Sequence, residues 1–126
     1  MNEFYSIKGE KYIPSIEFNA QTNILEMSGQ SYHEYVEEFF QPILDWIQKY
    51  LASHPPKITF NFKMIYFNTA SSRCLLEVFE LFDEHQKNHD ADITINWYYK
   101  ETDYDMLESG RDYAMDTSLK FELLTC

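Results

Sequence analysis

The spacing of apolar residues changes abruptly between Met64 and Arg73, and this change constrains the fold more than any other feature of the chain. Before it, apolar residues recur at every second position, as in a half-buried strand: Ile58, Phe60, Phe62 and Met64. After it, apolar residues recur at three- and four-residue spacing, as in an amphipathic helix: Leu75, Leu76, Phe79 and Phe82. The sequence therefore predicts a strand that runs directly into a helix, with Thr69 at the junction.

The junction is polar and contains no acid. It reads Asn-Thr-Ala-Ser-Ser-Arg from Asn68 to Arg73, and the first acid of the predicted helix is Glu77. Free backbone amides and the helix dipole favour an anion at such an end, so a phosphate on Thr69, Ser71 or Ser72 would be stabilised there, with the arginine nearby. Capping of the helix is the simpler interpretation of the same residues, since Asn, Thr and Ser are ordinary N-cap residues.

Before this strand the sequence predicts a hairpin and a long helix. Four side chains of the hairpin are expected to face the core: Ile16, Phe18, Leu25 and Met27. Ser31 and Glu34 have the spacing of a capping box, and an apolar helical stripe follows them. Pro42 lies inside this helix, where we expect a kink. Residues 1–11 are expected to add a strand or a loosely held arm.

After the central helix the sequence predicts a strand over 91–99, a third helix capped by Asp103, and a last strand over 119–123. The expected fold is α/β, with one domain over residues 1–126, a mixed sheet of about five strands and three main helices in the order ββαβαβαβ. Because nearly every strand alternates apolar with polar residues, we expect one face of the sheet to be better covered than the other. This pattern disfavours a doubly wound nucleotide-binding fold.

The charge of the chain limits its partners. Its net charge is −11, from 21 acids and 10 bases, which argues against a nucleic-acid surface. Glu77 to Asp116 holds twelve of the acids and three bases, so this surface is expected to prefer a basic protein partner, although acidic excess also serves solubility. We expect no membrane insertion and a cytoplasmic location, because no apolar run is long enough to span a membrane and the N-terminus does not resemble a signal peptide.

Catalytic chemistry has little support in the sequence. His85 and His89 are one helical turn apart and are the best candidates for a metal, but the glutamate of a zinc-protease helix is missing. The acids of the segment from Glu101 to Glu108 look solvated, whereas an acid–base pair needs one carboxyl in an apolar pocket. No phosphate-cradling glycine loop occurs. We therefore expect a protein that is not an enzyme and has no cofactor and no metal.

Three blocks of the sequence resemble the signature blocks of the SiaC-type bacterial regulatory phosphoproteins: Tyr66 to Ser72, Asn96 to Tyr99, and Asp105 to Gly110. The resemblance runs from about Pro14 to Leu124. The predicted order of elements also resembles the STAS domains of anti-sigma-factor antagonists, whose regulatory phosphoserine begins the helix after a central strand. Thr69 occupies the comparable place, which is an argument from fold analogy.

The resemblance implies a non-enzymatic switch. A serine/threonine kinase would phosphorylate the protein, a metal-dependent phosphatase would reverse the modification, and the unphosphorylated form would bind and activate a diguanylate cyclase, linking it to cyclic di-GMP and biofilm regulation. The family's phosphoacceptor corresponds to Thr69, with Asn68, Ser71, Ser72 and Arg73 around it. Ala70 departs from the serine that is frequent in the family, and Arg73 replaces a common lysine.

The partner surface is expected to combine aromatic and acidic side chains near these blocks: Tyr66, Trp97, Tyr98, Tyr99, Asp103, Asp105 and Glu108. Two alternatives stay open at this point. One is an anti-sigma-antagonist-like partner switch without a cyclase, and the other is a small acid–base or metal-dependent hydrolase that uses the acids and histidines.

Overall fold

The computed structural model describes residues 2–126 and contains six strands and three helices in that range. The strands are β1 (Phe4–Ile7), β2 (Ser15–Asn19), β3 (Ile24–Ser31), β4 (Lys57–Phe67), β5 (Asp92–Tyr99) and β6 (Lys120–Thr125). The helices are α1 (Val36–Ala52), α2 (Thr69–Asn88) and α3 (Tyr104–Asp116). The predicted class is confirmed, and β1 is the sixth strand, formed within the segment 1–11.

The strands lie side by side in their order along the chain, from β1 to β6. The pairs β1–β2 and β2–β3 are antiparallel and the other three pairs are parallel, so the sheet is mixed. Each parallel pair is joined through one helix. Because such crossovers are right-handed and all advance in the same direction, the three helices lie on one face of the sheet.

Burial distinguishes the two faces of the sheet. One row across the four parallel strands is apolar and mostly sealed under the helices: Leu25, Phe60, Ile95 and Phe121. The next row, on the opposite face, is polar: Glu26, Asn61, Asn96 and Glu122. Ile16, Phe18, Leu25 and Met27 are buried as predicted. The expectation of one covered and one open face is confirmed.

Trp97 lies at the centre of the core and has no exposed surface. Its ring stacks on Phe62 with a centroid distance of 4.3 Å, and its Nε1 donates to the carbonyl of Met106 at 2.9 Å. Gly110 of α3 approaches the indole so closely that a Cβ there would lie 2.7 Å from it. The prediction of Trp97 as a partner-binding residue is wrong, because its phase in β5 directs it to the covered face.

The start of α1 also differs from the prediction. Ser31 is the last residue of β3, and α1 begins only at Val36, with Tyr35 as N-cap and no side-chain cap. The capping box of Ser31 and Glu34 is therefore wrong. Pro42 lies inside α1 as predicted, and the kink stays a prediction.

Candidate functional site

The junction between β4 and α2 places Thr69 at the first position of α2 with an exposed side chain, as the change of period predicts. Asn68 is the N-cap, and its Oδ1 accepts from the amide of Ser71 at 2.9 Å. Within residues 2–126, the amides of Thr69 and Ala70 donate to no protein acceptor. The first turn of α2 holds no acid. Asn68 thus caps the helix while the outward side of this turn keeps its positive potential.

Ser71 faces the opposite way, into the protein. It is fully buried, its hydroxyl donates to the carbonyl of Ser31 at 2.8 Å, and the two serine hydroxyls are also 2.8 Å apart. The same carbonyl accepts from the amide of Asn68 at 3.1 Å. These bonds fix the end of β3 to the first turn of α2. Ser71 is consequently wrong as a candidate phosphate carrier, since a phosphate there would break a buried hydrogen-bond network.

Ser72 and Arg73 complete the first turn. The Ser72 hydroxyl donates to the carbonyl of Thr69 at 2.7 Å, and the Ser72 carbonyl accepts from the Tyr113 hydroxyl of α3 at 2.8 Å. Arg73 is exposed and lines a groove of about 280 Å³ between α2 and α3, together with Asp112 of α3. The α2 start is thus held by α3 as well as by β3.

A β-bulge sets the direction of Tyr66. Gly29 pairs with Met64 and Gln30 pairs with Tyr66, so Ile65 is an extra residue in β4. Gly29 has φ of 97°, a conformation that favours glycine. The extra residue reverses the phase of the strand end, so that Phe67 packs on core aromatics while Tyr66 is half exposed on the open side.

The other predicted partner residues divide into two groups. Tyr98, Tyr99 and Asp103 line one cavity of about 320 Å³ beyond the carboxyl ends of β4 and β5, with Ile65 and Met106 among its walls. The Asp103 carboxylate also accepts from the amide of Met106 at 3.0 Å, which confirms its predicted capping role.

Asp105 and Glu108 form the second group and lie exposed on α3. Glu108 pairs with Arg111 across one turn of the helix, at 3.4 Å. Such an exposed pair contributes little to stability, so both acids are available to a partner.

Two aromatic residues near the junction, Tyr12 and Tyr32, were not predicted from the sequence. Tyr32 packs edge-to-face on Tyr66 with a centroid distance of 5.7 Å, and Tyr12 packs edge-to-face on Tyr32 at 5.1 Å. The amide of Tyr32 also donates to the carbonyl of Tyr12 at 3.0 Å. No periodic signal reveals this group, because its members come from three separate segments. Their ring-to-ring contacts depend on the sheet bringing those segments together.

The histidines form a cluster of three at the opposite end of α2. His54 follows α1 in a left-handed conformation with φ of 55°. Its ring lies 4.6 Å from that of His89 and 6.0 Å from that of His85, and the latter two are 4.6 Å apart. Burial lowers the pKa of His85, and the neighbouring histidines lower it further. No group of three metal-ligating side chains is arranged to hold a metal within residues 2–126.

Helix length and hydropathy bear on membrane association. In the described part of the chain, α1, α2 and α3 all lack the combination of length and apolar character that a membrane span requires.

Two comparisons with known proteins cover nearly the whole chain. A family model described as SiaC family regulatory phosphoprotein matches residues 7–126. An uncharacterized protein of Pseudomonas aeruginosa strain UCBPP-PA14 is 26% identical over 118 residues, which cover 93% of this chain and 92% of that protein.

Solved structures of low sequence identity share the fold. Apo-SiaC of Pseudomonas aeruginosa superposes with a TM-score of 0.89 at 24% identity, covering 98% of this chain and 99% of that chain. The complex of the diguanylate cyclase SiaD with its activator SiaC, from the same organism, gives 0.90 at 24% identity, covering 97% and 99%. At these identities the structures establish the fold alone. Because the family model spans all but the first six residues, the chain belongs to the SiaC family of regulatory phosphoproteins.

Proposed function

We propose that this protein is a non-enzymatic cytoplasmic switch that binds and activates a diguanylate cyclase and is controlled by reversible phosphorylation of Thr69. The observation that carries the proposal is the exposed Thr69 side chain at a helix N-terminus that no acid neutralises, in a chain of the SiaC family. In Pseudomonas aeruginosa, SiaC is the activator of the cyclase SiaD. The proposal extends that activation to this chain, and with it a role in cyclic di-GMP signalling and biofilm regulation.

The fold can accept a phosphate on Thr69. A phosphate adds roughly −1.5 to −2 charges, and the free amides and the dipole of α2 favour negative charge at this end. Asn68 holds the cap with its own side chain, so phosphorylation leaves the capping bond in place. Arg73 lies one turn further along α2 and is exposed, which lets it pair with the added group.

A partner docked on this end of the sheet would not accept the phosphate as readily. The group brings bulk, a cost of desolvation, and repulsion from any carboxylate opposite, which together amount to a few kcal/mol of binding free energy, on the order of a buried charged contact. The unphosphorylated form is therefore the activating form in this proposal. A serine/threonine kinase and a metal-dependent phosphatase would set the balance between the two forms.

The partner surface in this proposal retains six of the residues predicted from the sequence, all of them at least partly exposed: Tyr66, Tyr98, Tyr99, Asp103, Asp105 and Glu108. Trp97 is omitted because it is sealed in the core. The acids of α2 and α3 should attract a basic patch on the partner, so the association rate should fall as salt rises. If the association rate does not depend on ionic strength, the acidic excess serves solubility and not partner binding.

Phosphosite mapping and calorimetry together test the switch. After incubation with the kinase, mass spectrometry should find the phosphate on Thr69 and not on Thr22, an exposed threonine in the β2–β3 turn that serves as an internal control. Thr69→Ala should remain folded, bind the cyclase as tightly as the unmodified wild type, and stay insensitive to the kinase. The phosphorylated wild type should bind at least about tenfold more weakly, corresponding to about 1.4 kcal/mol.

Two results would reject this mechanism. One is modification confined to Ser72, and the other is equal cyclase affinity before and after modification of Thr69. Pull-downs with the two forms separate the remaining alternatives. Capture of a sigma-factor regulator in place of a cyclase would favour an anti-sigma-antagonist-like switch, which the position of Thr69 after a central strand also fits.

A further inference from the structure

Three tyrosines form a continuous surface beside the Thr69 junction, and we name Tyr12, Tyr32 and Tyr66 the tyrosine strip. The rings meet edge-to-face at 5.1 Å and 5.7 Å. Tyr12 and Tyr66 are each about half exposed, at 49% and 50%. Within residues 2–126, none of the three hydroxyls contacts another protein group by a hydrogen bond. The strip thus presents ring faces and hydroxyls that the fold itself does not use.

The strip is held rigidly against the first turn of α2. Tyr32 follows Ser31, whose carbonyl accepts from both the Asn68 amide and the Ser71 hydroxyl. Tyr66 stands three residues before Thr69 and owes its outward direction to the bulge at Ile65. A partner seated on the strip would therefore also lie against Thr69, because the same hydrogen bonds position both.

The chemistry of the strip favours a cation. Lys11 of the chain already lies over the Tyr12 ring, with its Nζ 5.5 Å from the ring centroid. Exposed acids follow Tyr32 in the sequence, since Glu34 comes two residues later and Glu37 lies in the first turn of α1. The rings of Tyr32 and Tyr66 carry no such cation from within the described residues. Exposed tyrosine ring faces suit arginine and lysine side chains.

We propose that the tyrosine strip is the part of the cyclase-docking surface next to Thr69, and that it receives a segment of the cyclase that carries arginine or lysine side chains. The inference rests on the function proposed above and assigns its partner to a defined surface. Rigid aromatic residues lose little conformational entropy on binding and are frequent hot spots. A phosphate on Thr69 would stand at the rim of this surface, where its bulk and its cost of desolvation oppose the approach of the segment.

Calorimetry with the full-length diguanylate cyclases of the source organism tests the strip, using the cyclase that binds the wild-type protein. Tyr66→Ala should weaken binding by about 30-fold, as is typical of an interface hot spot. Tyr66→Phe keeps the ring face and should stay within about threefold of the wild type. Tyr12→Ala gives a second truncation on the other side of Tyr32. Phe4→Ala is the matched control, because this aromatic side chain is 51% exposed and lies in β1 opposite Asn19, at the other end of β2 from Tyr12.

The possible results separate the inference from the proposed function. If Tyr66→Ala and Tyr12→Ala both bind the cyclase as tightly as the wild type, the strip is not a docking surface, and the proposed cyclase switch is unaffected. Failure of the wild type to bind any cyclase of the organism would overturn both. If Tyr66→Ala weakens binding but the affinity does not depend on salt concentration, the partner segment is not cationic. An equal loss for Phe4→Ala would show that any exposed aromatic residue matters, and would also overturn the strip.

Discussion

The two ends of α2 use their polar side chains in opposite ways. At the N-terminal end, Asn68 and Ser71 turn toward the helix and the sheet, and this leaves Thr69 and two amides directed at solvent. At the C-terminal end, the Asp83 carboxylate accepts from the amide of Ser118 at 3.0 Å and from its hydroxyl at 2.6 Å. Here the polar groups form hydrogen bonds that join α2 to the chain before β6.

The difference shows in what each end can do. Burial raises the pKa of Asp83, but the bonds from Ser118 and the pair with Lys87 outweigh it and hold the pKa below its ordinary value. Such a carboxylate is satisfied and has nothing left for a ligand. The N-terminal end is as well fixed in position, yet its donors are unused. Unused backbone donors at a helix N-terminus favour an added anionic group.

The largest effect on stability is expected at the C-terminal end. Asp83→Ala removes both Ser118 bonds and the partner of Lys87, and should lower the free energy of unfolding by about 2–3 kcal/mol, since hydrogen bonds to a charged group are involved. Cyclase affinity of the folded variant should not change, because Asp83 lies at the other end of α2. Urea unfolding and calorimetry measure the two quantities. Weakened binding with wild-type stability would contradict the division between the ends.

A smaller loss of stability is expected at the N-terminal end. Asn68→Ala removes the acceptor for the Ser71 amide and should cost about 1 kcal/mol, as for other N-caps. Asn68→Asp keeps an acceptor in place and should unfold like the wild type. Its carboxylate stands beside Thr69, so the phosphorylated form should lose part of the stabilisation from the helix N-terminus. Urea unfolding of both variants, each with and without phosphate, gives the comparison.

The smallest effect on stability should appear only at acidic pH, and it should come from the C-terminal end of α2. The pKa of His85 in the folded protein is below the ordinary 6.5, so the unfolded chain binds more protons in this range. Stability is therefore lost as the pH falls from about 6.5 toward the folded pKa. Unfolding at about pH 7.5 and pH 5.5 should show a weaker pH dependence for His85→Phe than for the wild type. Asn68→Ala should keep the wild-type dependence.

Periodicity predicted those parts of the fold that depend on one element at a time. Alternation in β2 and β3 identified the buried side chains, and the change of period placed Thr69 at the start of α2. Asp103 was identified as a cap because capping is local, and its oxygen does accept from the amide of Met106. In each case the physical cause lies within a few residues of the effect.

Contacts between distant segments account for the errors. Ser31 has the local pattern of a capping box, but its partner is Ser71, 40 residues away, and β3 extends to reach it. Trp97 belongs to the same alternation as Ile95, so the phase of β5 buries it although its segment resembles a partner-binding block. The bulge at Ile65 depends on the register with β3, which no single strand reveals.

The order of the sheet has a consequence for the time at which the Thr69 junction forms. Every strand pairs with its neighbour in the sequence, so no strand has to enter between two that are already joined. The hydrogen bonds around Thr69 come from residues between Ser31 and Ser72, with one more from the Tyr113 hydroxyl of α3 to the Ser72 carbonyl. Most bonds of the junction can thus form once β3, β4 and α2 are in place, and only the Tyr113 bond waits for α3.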